Sequence, residues 1–310
     1  MSPILSRILR ESEGVEVLEL LSERLSPTDL QSLLLEVARR RSARLKPAQL
    51  LAAYESNRFV RPSPISPTEF LRIDALAFEA ARDFEPIELS TVCPLGASSV
   101  VATVDQNKVV STMRGTEVVS DCTNVMALEA AVRRRSGTAE VRLCCSHRLV
   151  RAQEFKGPHS FAHFKAFALC SAGRDRGNLG FEREELQRHL QVHLRILSAG
   201  QENGWLDKIR VALTDFTGER REFLSEIGER LSSEFNGVRM ELDPDRQPGR
   251  GYYDGICFGI YADTLGGEEM FLADGGFTNW TRSLLSNHKE RLLISGMGIE
   301  RICSVARSSQ

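Results

Sequence analysis

Apolar residues recur at helical spacing through the first part of the chain. In "LSPTDLQSLLLEVARRRSARL", Leu30, Leu33, Leu34 and Val37 fall on one stripe. Ser26 and Pro27 supply a cap and a first-turn proline, and Asp29 an acid in that turn. "MSPILSRILRESEGVEVLELL" reads as an amphipathic helix broken by charge, and "KPAQLLAAYES" as a short helix opened by Pro47. Residues 1–57 are therefore expected to form a small helical segment. "RFVRPSPISP" carries three prolines between Arg58 and Pro67, which makes residues 58–67 a linker and leaves 68–310 as the core.

The pattern then changes. "SPTEFLRIDALAFEAARDF" predicts a strong helix with Phe70, Ile73, Leu76, Ala77 and Ala80 on one face. Short β-like runs follow: "EPIELS", "SSVVATV", "NKVVSTM" and "TEVVSD". "NVMALEAAVRRR" predicts a helix, "AEVRLCCSHRLV" a strand and "SFAHFKAFALCSA" a long buried strand. "EREELQRHLQVHLRILSAGQ" predicts a helix ending at Gly200 or Gly204. "IRVALTD" reads as a strand, "FLSEIGERLSSEF" as a helix, and "YYDGICFGIYAD", "EEMFLADGG" and "RLLISGMG" as strands before a closing helix, "IERICSVAR". Strands come in consecutive groups, not in strict alternation with helices. The expected class is α+β: a mainly antiparallel sheet flanked by helices, preceded by the helical segment.

Composition narrows the picture. The 310 residues are 42% hydrophobic and 26% charged, with a net charge of -2. That excludes the strongly basic field of a general nucleic-acid binder. The cluster Arg39, Arg40, Arg41 and Arg44 reads first as a solvated helix end. No apolar run reaches the ~18 residues of a membrane helix. Seven cysteines without a CxxC pair indicate neither a disulfide framework nor a zinc knuckle, so the reducing cytoplasm is expected.

Candidate chemistry lies in two stretches. "SHRLVRAQEFKGPHSFAHFKAFAL" reads as strand, basic loop, strand, with Arg148 and Arg151 in poor alternation with core residues. Guanidinium groups bind phosphate through a planar fork of donors. In "GMGIERI" two glycines permit close approach to a strand end, and Arg301 stands where a helix N-terminus favours anions. Arg148 and Arg301 are expected to converge on one polyphosphate. His159 and His163 are further candidates for ligand contact. His189 and His193, four apart on a helix, have a zinc-compatible spacing without a third ligand, or form a solvated face. If "GYYDG" continues a strand, only one of Tyr252 and Tyr253 faces a pocket.

The order of these pieces resembles the catalytic core of class II aminoacyl-tRNA synthetases, most closely histidyl-tRNA synthetase, over about residues 66–306. "TEVVSDCTNVMALEAAVRRR" resembles that family's amino-acid-binding segment, which implies substrate contacts for Asp121 and Thr123. "HRLVRAQEFKG" resembles motif 2, which implies an α-phosphate contact for Arg148 and polar contacts for Arg151, Gln153 and the Lys156-Gly157 loop. "GRGYYDGICFGIYA" is similar to the histidine-binding segment with its tyrosine pair. "SGMGIERI" looks like motif 3, implying that Gly296 and Gly298 line the adenine side and that Arg301 grips the γ-phosphate. The resemblance implies ATP with magnesium as cofactor, an amino-acid-like substrate, and a homodimer formed through about residues 67–95, with Pro94 near the end of that stretch.

The departures shape the functional expectation. Val150 stands where motif 2 carries glutamate, and Cys170 where an acid helps to hold magnesium. The arginine expected before the tyrosine pair falls at Pro248, between Arg246 and Arg250; Arg250 is taken as the substrate-binding candidate. The Gly-Gly-Arg-Tyr turn reads Gly275-Gly276-Phe277-Thr278. No anticodon-binding domain is expected after about residue 306, and tRNA is not an expected partner. Two readings remain open: an ATP-dependent, adenylate-forming ligase, or a non-catalytic regulatory or partner-binding subunit similar to the synthetase-like subunit of ATP phosphoribosyltransferase.

Overall fold

The computed structural model describes residues 3–12, 16–153 and 161–308. Helices α1 (Pro3–Glu11), α2 (Val17–Glu19, continued by a wider π-helical turn to Arg24), α3 (Pro27–Ser42) and α4 (Pro47–Ser56) come first. None of them fully buries a residue. Ser26 caps α3 by accepting from the Asp29 amide, 3.2 Å, as the sequence predicts. The remaining elements are α5 (Pro67–Ala80), β1 (Glu85–Pro86), β2 (Val92–Pro94), β3 (Thr116–Val118), α6 (Cys122–Arg135), β4 (Val141–Val150), β5 (His163–Arg174) and α7 (Gly180–Glu202). They continue with β6 (Leu206–Asp215), α8 (Arg221–Glu234), β7 (Arg239–Leu242), β8 (Ile256–Thr264), β9 (Glu269–Thr278), α9 (Trp280–Leu285), β10 (Glu290–Gly298) and α10 (Ile299–Ser308).

The class is α+β. One eight-stranded sheet has the order β1-β4-β5-β10-β9-β8-β6-β7. Its central pairings, from β4 through β6, are antiparallel, and only the edges β1–β4 and β6–β7 are parallel. Helices α5, α7, α8 and α10 pack on one face around Phe70, Ile73, Leu190, Leu194, Ile227 and Ile302. Helix α6 and Trp280 of α9 pack on the other face with Leu143, Cys145 and Ile294. Arg134 of α6 and Glu290 of β10 form a buried bidentate pair, both contacts 2.8 Å, which pins that layer to the sheet.

Three expectations change. "SSVVATV" and most of "NKVVSTM" are not strands. The fully buried Glu117 carboxylate accepts from the amides of Gly96 and Ser98, 2.9 and 2.8 Å, and from Gln106 Nε2, 2.8 Å. These bonds hold Ala97–Val101 in a π-helical turn and Gln106–Lys108 in a 3-10 turn, so local polar satisfaction overrides β-propensity. The proline-rich stretch, expected as a linker, lies against the core. Arg58 donates to the Ala152 carbonyl, 2.6 Å, and the Arg61 carbonyl pairs with His163 Nε2, 2.6 Å. Ser63 donates to Glu300. Third, His189 and His193 are neither solvated nor placed as zinc ligands.

Both histidines are fully buried against the sheet. His189 hydrogen-bonds Ser295 and Ser171, 2.8 and 2.9 Å, and His193 bonds the same Ser295, 2.8 Å. Burial, reinforced by the second ring and by Arg142, holds His189 well below the usual value, and burial alone takes His193 down to about 3. Beside Ser295, on the neighbouring strand β9, glycine provides close approach. A Cβ at Gly275 would stand 2.4 Å from Ser295 Cβ and 2.6 Å from the Ile294 carbonyl, whereas one at Gly296 would meet only the Phe167 carbonyl at 3.9 Å.

Two outcomes follow. The unfolded chain protonates His193 below about 6.5 and the folded chain only near about 3, so stability is lost as pH falls through that window. In urea titrations from pH 7.5 to 4.5, His193→Gln should remove about 1.4 kcal/mol of that loss per pH unit below about 6.5. An unchanged slope would refute the neutral buried ring. Gly275→Ala should destabilise by about 1–3 kcal/mol through overpacking, while Gly296→Ala should stay within about 1 kcal/mol of the parent in the same titration.

Candidate functional site

Strand alternation decides which side chains meet. Leu149 pairs with Phe164, and Arg148 with Lys165. The first pair lies on the α6 side of the sheet and the second faces α5, because cross-strand partners share a face. Lys165 accordingly pairs with Asp74 of α5, and the Arg148 guanidinium lies 5.2 Å from the Phe70 ring centre. Arg148 also contacts Glu300 at 3.2 Å and His163 Nδ1 at 3.0 Å. The expected convergence of Arg148 with Arg301 is thus corrected: Arg148 belongs to the α5 face.

On the opposite face a cavity of about 360 Å³ opens over β5, β9 and β10. Its floor is nearly free of bulk. Gly296 pairs with Ala168 and Gly298 with Ala166, so four neighbouring cavity-side positions carry a methyl group or nothing. Leu149, Phe164 and Ile294 close the apolar part.

Arg151 and Arg301 both line this cavity. Arg151, just past the end of β4, donates to the Ser120 carbonyl, 3.1 Å, and lies 5.0 Å from the Phe164 ring centre. Arg301 opens α10 and donates to the Phe271 carbonyl. Burial, and then the Arg151 charge, lower the Arg301 pKa, while Asp274 opposes the shift. Arg301 keeps its proton, since an arginine does not lose it in a protein. The repulsion therefore persists.

Asp121 caps α6 by accepting from the Thr123 amide and hydroxyl, 2.9 and 2.8 Å, and stands 3.8 Å from Arg151. Tyr252 and Tyr253 both line the cavity, contrary to the strand-based expectation. The chain turns at Gly249, φ 91°, and the amides of both tyrosines donate to its carbonyl. The missing Cβ of Gly276 admits the Tyr253 ring, which a methyl there would meet at 2.5 Å. The Tyr252 ring meets Trp280 and Tyr253 edge-on at 5.4 and 4.9 Å. Burial raises both phenols well above the usual value.

Arg250 stays outside, 4.9 Å over the Phe216 ring. The arginine that reaches the tyrosine pair is Arg246. Its side chain is buried over Gly259, with Nε donating to the Pro248 carbonyl, 2.9 Å, and the guanidinium 3.8 Å from Asp274. Asp274 accepts from the Tyr253 hydroxyl, 3.1 Å, and lines the cavity. Enclosure raises its pKa, Arg246 opposes the rise and Asp121 adds to it. Asp274 was not singled out from sequence, although an acid inside the apolar run "MFLADGG" was a signal. Gln153 is exposed and does not line the cavity. Lys156, Gly157 and His159 lie outside the described residues. His163 is turned toward Arg148 and Arg61.

No family model and no curated protein match the chain. Solved structures do. An ATP phosphoribosyltransferase regulatory subunit/histidyl-tRNA synthetase from Bacillus halodurans superposes with a TM-score of 0.61 at 15% identity, covering 81% of this chain and 83% of that one. Apo histidyl-tRNA synthetase from S. aureus gives 0.58 at 16% identity, covering 79% and 68%. A histidine–tRNA ligase subunit from Alicyclobacillus acidocaldarius gives 0.57 at 11% identity, covering 80% and 95%. At these identities the likeness is one of fold, and the fold is that of the class II synthetase-like catalytic core.

Proposed function

We propose that the cavity binds ATP together with an amino acid or related carboxylate and joins them as an acyl-adenylate. The observation that carries this reading is the enclosure of Arg151 and Arg301 in one cavity, near enough that one charge disfavours the other. A polyphosphate between them relieves that repulsion and fills both donor forks. The bare floor at Gly296, Ala166 and Ala168 suits a flat base, and Asp121 suits an ammonium group. No protein nucleophile is needed: the substrate carboxylate oxygen attacks the α-phosphorus and pyrophosphate leaves. The protein neutralises the growing charge and holds the reactants in line.

The expected magnesium has less support. Cys170, at the position of the expected acid, is fully buried, and burial pushes its thiol up to about 12. A neutral thiol is a poor partner for a cation that selects hard oxygen ligands. Asp121, Asp274 and Glu300 are the carboxylates that line the cavity, and Glu300 is already committed to Arg148 and the Lys165 amide. Among the described residues no group of three or more potential metal ligands forms, and no step of the proposed reaction is routed through a metal.

The second reading, a non-catalytic regulatory subunit, draws on the altered floor and on the N-terminal helices, which expose Ile4, Ile8, Leu50, Leu51 and Tyr54. Under either reading we expect a homodimer through the region around α5 and β2, where Leu71, Val92, Leu95 and Val100 are exposed. The seven buried free cysteines suit the cytoplasm. No described helix is long and apolar enough to cross a membrane.

ATP–pyrophosphate exchange across the twenty amino acids tests the proposal. Exchange with one of them should fall by about 100-fold or more in Arg151→Met and in Arg301→Met. Arg148→Met should act instead by lowering thermal stability. Calorimetric binding of ATP without any exchange would select the regulatory reading, and absence of both would overturn the cavity assignment. Light scattering should give twice the mass of one chain; a monomer would refute the dimer.

A further inference from the structure

A second cavity, of about 320 Å³, lies at the other end of the central strands. That volume falls in the range of about 300–1,000 Å³ common to small-molecule sites. Thr278 closes β9 there, Arg291 opens β10, and Glu182 lies in the first turn of α7. Arg220 precedes α8 and Arg282 belongs to α9. Asp274 of the first cavity and Thr278 are separated along β9 by about 13 Å of extended chain, so the two sites are distinct.

Much of the charge here is matched. Arg291 donates to Asp175 and to Glu182 Oε1, 2.7 and 3.0 Å, and Arg282 stands 3.2 Å from Asp254. What remains unmatched is buried. Glu182 Oε2, Thr278 Oγ1 and Arg282 Nε find no hydrogen-bond partner among the described residues. Glu182 is 7% exposed and Thr278 4%. Buried polar atoms are nearly always paired, so an acceptor, a hydroxyl and a donor orphaned around one cavity call for a partner. The half-buried Arg220 adds a guanidinium.

We propose that this cavity binds a small dipolar ligand of the free amino acid class, its carboxylate toward Arg220 and Arg282 and its ammonium toward Glu182. The proposal stands independently of nucleotide binding in the first cavity.

The test uses the full chain. Calorimetry and thermal shift are run with each of the twenty amino acids and with inorganic phosphate. The proteins are the parent, Arg220→Met, Glu182→Gln and, as a probe of the first cavity, Asp121→Asn. At least one amino acid should bind the parent and Asp121→Asn with equal affinity, and at least tenfold more weakly to Arg220→Met and Glu182→Gln. Arg220→Met is the milder change and keeps the test valid if loss of the Glu182 charge unsettles Arg291. The proposal is overturned if no amino acid binds, or if the binding that Asp121→Asn retains also survives in Arg220→Met. Loss of binding only in Asp121→Asn, or equal binding of phosphate alone, has the same effect.

Discussion

One buried carboxylate organises the core around the first cavity. Glu300, with 1% of its side chain exposed, accepts from Arg148 at 3.2 Å, from the Lys165 amide at 2.9 Å and from Ser63. An ion removed from water is tolerated only when it is paired and its lone pairs are filled. Here the partners come from β4, from β5 and from the chain leading into α5. The same interaction commits Arg148 to the α5 side. The next inward-facing arginine, Arg151, lies three residues on and on the other face. The residue after Glu300 is Arg301, which lines the cavity. An acid and a base adjacent in sequence therefore both border the cavity, the acid spent on holding β4, β5 and the chain before α5 together and the base left toward the proposed ligand.

The elements with long hydrophobic periods were legible in the sequence. β4, β5, α7, β6, α8, β8, β9 and β10 all form where alternation or helical stripes place them. The edge strand β7 was not, because "RMEL" is four residues long with no buried side chain. The runs around Val100 and Val110 were misread because their conformation depends on Glu117, a partner distant in the chain that no periodicity reveals. In the site, Asp121, Thr123, the two tyrosines, Gly296, Gly298, Arg151 and Arg301 do come together. The misassignment at Arg148 arose from reading a motif by residue type without following strand parity. Arg250 was preferred to Arg246 for a related reason: the intervening turn at Gly249 reverses the chain, so nearness in sequence to Tyr252 does not give nearness in space.

The floor of the cavity separates what the fold supplies from what this chain adds. Glycines and alanines at paired positions of β5 and β10 leave space without directing anything toward it. Cys170 stands deeper on β5 and contributes only apolar packing. Specificity must then come from the rim, from Tyr252, Tyr253, Asp121 and Asp274. Function resides in such placed groups and not in the architecture. The structural likeness to synthetases and to a regulatory subunit is thus compatible with either reading of the site.

The charges of the rim carry the argument one step further. Two like-charge pairs border the cavity, for Arg151 lowers the pKa of Arg301 and Asp121 raises that of Asp274, while Arg151 also stands 3.8 Å from Asp121. Each like-charge pairing is unfavourable taken alone, and the groups are held by the fold, Arg151 through the Ser120 carbonyl, Asp121 through the α6 cap and Asp274 through Tyr253. A ligand with an anionic group beside the two arginines and a cationic group beside the two aspartates offsets both repulsions at once. A purely anionic ligand offsets the repulsion between the arginines and adds to that between the aspartates. Under the proposed function, the arrangement suits a nucleotide and an ammonium-bearing carboxylate bound together, which is the composition of an aminoacyl-adenylate. Because the groups are already oriented, the stabilisation needs little rearrangement when charge develops between them.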